Sequence, residues 1–105
     1  MVEIWSECAL EVVYYDDTAS EYWSGCEVKF GEGGEIVVNY RDQDGLAEYR
    51  GQDLGVGHFE LRSIGRNGRA TLHRSPNSRI LEGYWEEWGY RGFSRIVAPR
   101  GPKGQ

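Results

Sequence analysis

Few side chains in this chain are of a type and spacing that do chemistry, and the one whose setting stands out is Glu87, in "YWEEWGYRG". Strand alternation turns Glu87 inward beside Trp85 and opposite Ser94, where it either reaches water at the strand end or, at the mouth of a closed sheet, anchors a ligand. The other acid pairs are weaker candidates. Glu86 and Glu87 point to opposite faces and make no dyad. Asp16-Asp17 carries no further signal. Asp42 and Asp44 in "DQDG" resemble the start of a calcium loop but lack its remaining ligands, so the stretch reads as a hairpin turn with Gly45 at positive φ. Ser63, Ser75, Ser78 and Ser94 have no G-x-S-x-G elbow. Cys8 and Cys26 have no C-x-x-C spacing and are expected as free buried thiols, with a disulfide between them left open. The expected strand pairing sets His73 opposite Arg62, roughly 13 Å from His58 at about 3.4 Å per residue, too far to share an ion. "GEGG" and "GVG" precede no helix and offer no phosphate cradle. No catalytic signature, metal site or cofactor is expected.

Charge narrows the partners. Acidic residues outnumber basic ones 17 to 12, for a net charge of −5, which opposes approach to a phosphate backbone and disfavours nucleic acid. Arg62, Arg66, Arg69, Arg74 and Arg79 cluster in sequence; the ordinary expectation is a solvated strand face with two turns, the sharper one an anion site near Arg69 and Arg74. The N-terminal stretch has no basic region before an apolar run and nothing resembles a membrane span, so the expectation is a soluble cytoplasmic protein. The length of 105 residues fits one domain, 1–105, with residues 1–25 packing on it and a flexible tail at 99–105.

From Cys26 onward short alternating segments are broken by turn residues: "CEVKF", "EIVVNY", "LAEYR", "HFELRSI", "RATLHR", "RILEGYWEEW" and "FSRIVA". This predicts an all-β antiparallel meander of about seven to eight strands. A further strand is expected near 9–15 and a turn of helix near 19–23. Glycines inside strands mark bends or close backbone approach, which let a small sheet curl into a barrel.

The turns predict the pairing. A two-residue Asn67-Gly68 turn sets Leu61 opposite Arg74 and Arg62 opposite His73. A "SPNS" loop then sets Leu72 beside Leu81, and a "GYRG" loop sets Trp85 beside Ile96 and Glu86 beside Arg95. One face carries Phe59, Leu61, Ala70, Leu72, Leu81, Trp85 and Ile96. The opposite face carries a second apolar row, Ile80, Tyr84, Trp88, Phe93 and Val97, and something should cover it: the N-terminal segment through Trp5, Leu10, Val12 and Tyr14, a second copy, or another protein.

The patterns "WSGCEV", "YRG" and "LEGYWEEWGYRGFSRI" resemble the glycine-aromatic strand starts of calycin-like barrels, the group that holds lipocalins and avidins, although the lipocalin G-x-W order is absent. The resemblance implies an up-and-down barrel with an interior site. Three functions are compatible. The first is a noncatalytic interaction protein that uses Tyr84, Trp88, Tyr90, Phe93 and Arg95 against a protein partner or in a homodimer. The second is a carrier whose small-molecule ligand meets Phe59, Leu61, Leu72, Trp85 and Ile96, with Arg74 or Glu87 at the mouth. The third is a small barrel isomerase or hydrolase, which a buried carboxylate of raised pKa beside an arginine would favour.

Overall fold

The structure, a computed structural model, describes residues 3–99. Most of the expected 99–105 tail therefore lies outside the described residues. Eight antiparallel strands, each paired with the next in sequence and the first with the last, close into an up-and-down barrel. They are β1 (Glu3–Tyr14), β2 (Glu21–Phe30), β3 (Glu35–Asp42), β4 (Gly45–Asp53), β5 (His58–Ser63), β6 (Gly68–His73), β7 (Ile80–Glu87) and β8 (Tyr90–Val97). The helical turn expected near 19–23 is absent: β2 begins at Glu21, and among the described residues the only helical segment is the 3₁₀ turn Glu32–Gly34. None of these elements is a helix able to cross a membrane.

The N-terminal segment does not cover the outer aromatic row. Instead β1 is a stave of the barrel, pairing with both β2 and β8. Its alternation explains why: Leu10, Val12 and Tyr14 share one face, and that face points inward, where Leu10 and Val12 are buried. Trp5 is also buried although it has the other parity. An irregularity between Trp5 and Cys8, with Glu7 at φ 57°, switches the face. A matching switch in β2 occurs at Gly25, φ 75°, between Trp23 and Cys26. Cys8 and Cys26 are register partners at this point, both buried and both free thiols.

Curvature rests on glycines with no room for a side chain. A Cβ at Gly51 would overlap the backbone of Glu60, one at Gly83 that of Thr71, and one at Gly92 that of Val13. At each point one strand leans on its neighbour, and the sheet bends enough for eight staves to meet.

Three expected registers are displaced. Leu61 faces Ala70 rather than Arg74, Leu72 faces Gly83 rather than Leu81, and Trp85 faces Gly92 rather than Ile96. The connections account for this. Residues 64–67 form a four-residue loop with Gly65 and Asn67 at positive φ, and the β7–β8 turn is the two-residue Trp88-Gly89, with φ 51° and 83°, in place of "GYRG". Every displacement is an even number of residues, so the inner and outer faces survive. Glu86 consequently faces Arg91, and Arg95 faces and hydrogen-bonds Glu82 at 2.9 Å instead of Glu86. His58 faces His73, and their rings meet with Nδ1 and Nε2 2.6 Å apart, not across the expected 13 Å.

Candidate functional site

The two ends of the barrel differ. At the end where β1 begins, Trp5 meets Phe30 edge to face and Phe30 meets Phe59 at a tilt, with ring centroids 5.0 and 5.7 Å apart. The Arg74 guanidinium lies 4.7 Å over Trp5 and 4.8 Å over Phe30. It also donates two hydrogen bonds to Glu3, at 3.0 and 3.1 Å, which hold the Glu3 carboxyl below its ordinary pKa. This plug seals the end, the cation resting on ring faces that favour positive charge. Arg74 is thus at the opposite end of the barrel from Glu87.

The other end is open. Between the buried aliphatic core and the rim lies a cavity of about 80 Å³ whose walls include Leu61, Leu72, Trp85, Glu87 and Ile96. Above it a vestibule of about 270 Å³ shares Tyr14, Glu21, Trp23, Asp42, Trp85 and Glu87 with the cavity and adds Asp44, Trp88 and Tyr90. Every strand of the ring contributes to the cavity wall, because alternation aims every second side chain of each stave inward.

Glu87 sits at the junction. The Tyr49 hydroxyl donates a hydrogen bond to its carboxylate, and the Arg66 guanidinium is 3.8 Å away. Burial pushes the Glu87 carboxyl above its ordinary value, and the Tyr49 bond and Arg66 charge offset this only in part. Tyr49 is itself pushed up by burial and by donating to Glu87. Tyr40 is raised by burial and by the Glu87 charge. Tyr14 is pushed up to about 12 by burial and by the hydrogen bond it donates to Glu21 at 3.1 Å. Tyr14 and Tyr49 therefore stay protonated and act as donors.

Arg66 is only 6% exposed. Its guanidinium donates to both Asp42 oxygens, at 2.7 and 2.9 Å, and to the Gly45 carbonyl at 3.3 Å. The Arg66 bonds hold Asp42 well below the usual carboxylate range. Gly68 makes room for the constellation: a Cβ there would come within 2.5 Å of the Tyr49 hydroxyl. Its N–H donates to Ser63 Oγ at 2.6 Å, which fixes the loop that carries Arg66. The Arg66 guanidinium carbon also lies 5.8 Å from the Trp88 ring. One buried side-chain donor has no acceptor among the described residues: Trp85 Nε1, in a side chain only 8% exposed.

The residues singled out in the sequence divide among three places. Leu61, Leu72, Trp85, Glu87 and Ile96 line the cavity, and Trp88 and Tyr90 rim the vestibule. Phe59 and Arg74 belong to the sealed end. Tyr84, Phe93 and Arg95 lie on the outer wall, where Tyr84 faces Phe93 across the strands. Sequence reasoning missed Tyr14, Glu21, Trp23, Tyr40, Asp42, Tyr49 and Arg66 as members of one site. They come from β1, β2, β3, β4 and the β5–β6 loop, and only closure of the ring brings them together. Arg66 stands out in the sequence only as one of five clustered arginines, and its flanking Gly65 and Asn67-Gly68 mark a tight loop. Comparison with known proteins gave no matching family model, curated protein or solved structure.

Proposed function

We propose that this protein binds a small organic molecule at the open mouth of a calycin-like barrel, with one end of the guest in the cavity and its body in the vestibule. The observation that carries this is the partly enclosed Glu87 carboxyl, held by Tyr49 and Arg66 at the floor of an aromatic vestibule. Enclosed acids with a shifted pKa and a specific charge partner in a cleft mark candidate functional sites. Size sets the pose. The cavity of about 80 Å³ is smaller than the roughly 150 Å³ that holds benzene in an engineered core, so the barrel centre does not engulf the guest. The vestibule of about 270 Å³ has room for a single ring and a short chain.

The aromatic residues of β7 and β8 fit this reading better than a single partner surface. Trp88 and Tyr90 turn toward the mouth, and Arg95 is already engaged by Glu82. A carboxyl of raised pKa beside an arginine is also the arrangement that favours acid–base chemistry, with Glu87 as the proton carrier. That reading makes the bound molecule a substrate.

Native mass spectrometry of protein purified without refolding tests the proposal. The expected spectrum is a monomer carrying extra mass that leaves on denaturation and is absent from Glu87→Ala. A bare monomer whose tryptophan fluorescence is unmoved by a small-molecule extract overturns it. A dimer without extra mass also overturns it and assigns Tyr84 and Phe93 to self-association. A released mass that differs from the one supplied identifies turnover.

A further inference from the structure

Resting on that reading, we infer that the guest is an organic ammonium: a small aryl-alkyl amine whose ring lies on the tryptophan and tyrosine walls and whose cationic nitrogen meets the rim acids. Four carboxyl groups, those of Glu21, Asp42, Asp44 and Glu87, line the cavity and vestibule, and no lysine or arginine does. The nearest cation, Arg66, is committed to Asp42 through two hydrogen bonds and lies 5.8 Å over the Trp88 ring. It leaves Glu21 and Asp44 uncompensated by any ion pair among the described residues. An anionic guest would meet these carboxylates at short range in a partly desolvated space, where repulsion is strong. A cationic one gains from both.

The walls act in the same direction. Trp23, Trp85 and Tyr14 line cavity and vestibule alike, and Trp88 and Tyr90 add to the rim. Aromatic faces carry the negative part of the ring quadrupole and attract ammonium groups. Arg66 over Trp88 already shows an organic cation seated against one of these rings. The sealed end repeats the arrangement, with Arg74 over Trp5 and Phe30 and a carboxylate, Glu3, completing it. There the cation belongs to the chain. At the open end the rings and acids exceed what the chain's own cation uses.

A separate observation concerns Trp85, which lines both the cavity and the vestibule. The Trp85 indole N–H is buried without an acceptor among the described residues, a condition that costs free energy until an oxygen or nitrogen meets it. An amine that also carries a hydroxyl supplies both an acceptor and a charge.

Three probes separate charge from shape, because they share one hydroxyphenyl ring and differ in the chain terminus: tyramine (cationic), 4-hydroxyphenylethanol (neutral) and 4-hydroxyphenylacetate (anionic). Binding is followed by tryptophan fluorescence and calorimetry at pH 7 and low salt. Tyramine is expected to bind at least tenfold tighter than the alcohol, and the acetate weaker than both. Asp44→Asn and Glu21→Gln are each expected to weaken tyramine several-fold and the alcohol by much less. If the alcohol or the acetate binds best, the ammonium assignment falls and binding at the mouth stands. If none of the three binds while native mass spectra show a released ligand, the aryl-amine class is again wrong. If none binds and the spectra are bare, both readings fall together.

Discussion

Glu87 and Asp42 flank the same guanidinium and are shifted in opposite directions. Asp42 receives two of its hydrogen bonds and gains from being charged. Glu87 is 3.8 Å from Arg66, too far for a hydrogen bond, and burial dominates. The two therefore respond differently to acid. A carboxyl whose pKa is raised by folding opposes folding while it is ionised; the cost is present at neutral pH and disappears as pH falls through the folded value toward the unfolded one. A depressed pKa acts the other way: Asp42 stabilises the fold at neutral pH, and this is lost only below the ordinary aspartate range. Glu87→Gln keeps an acceptor for Tyr49 and removes the charge. Its melting temperature should exceed that of the parent at pH 7.5, with the gap closing by about pH 4, where glutamate side chains are largely protonated. A gap that widens on acidification would mean that the Arg66 attraction outweighs burial. Glu87 was legible in the sequence because strand parity alone turns it inward. Tyr49 and Arg66, which give it its chemistry, come from β4 and the β5–β6 loop, and no local pattern links them to it.

The hairpins show what pattern reading could and could not reach among the elements. Alternation determined the faces of "HFELRS", "RATLH" and "ILEGYWEE", and Phe59, Leu61, Leu72, Leu81 and Trp85 are buried as it requires. Register depends on the turns, and there the sequence misled. Asn67-Gly68 has the favoured composition for a two-residue turn, but the chain uses four residues, tucking Arg66 beneath the loop. Trp88-Gly89 has an unfavourable composition and is nevertheless the tight turn, because glycine accepts one positive φ and Trp88 is forced into the other. A large side chain in that region costs about 1–2 kcal/mol. The backbone strain raises the indole, 55% exposed, to the rim above Arg66. Trp88→Asn would restore the preferred Asn-Gly turn. Relief of the strain and removal of the cation–π attraction oppose each other, each at about 1 kcal/mol. Stability in urea should therefore remain within about 1 kcal/mol of the parent while affinity for the guest falls. A decrease above about 2 kcal/mol would make Trp88 a packing residue instead.

For the whole molecule, asymmetry along the barrel axis is the governing property. One end is plugged by Trp5, Phe30, Phe59 and the Arg74–Glu3 pair; the other keeps a cavity with acids and rings around it. Between them the wall is tight enough to protect its thiols. Burial pushes Cys8 up to about 11 and Cys26 up to about 12, so little of either is thiolate near neutrality. Thiol-specific reagents at pH 8 should label the native protein on the order of a hundredfold more slowly than the chain in guanidinium, since only the thiolate reacts. Rapid native labelling would reveal opening of the β1–β2 seam, where the two bulges interrupt the ladder. The plug has a practical result as well. Glu3 lies beneath Arg74, and Ala98 exchanges hydrogen bonds with Arg79 on the same rim. Both ends of the described chain thus leave from the sealed side, and anything joined to either of them, a tag, a tether or a neighbouring domain, is delivered behind the barrel with the mouth facing outward.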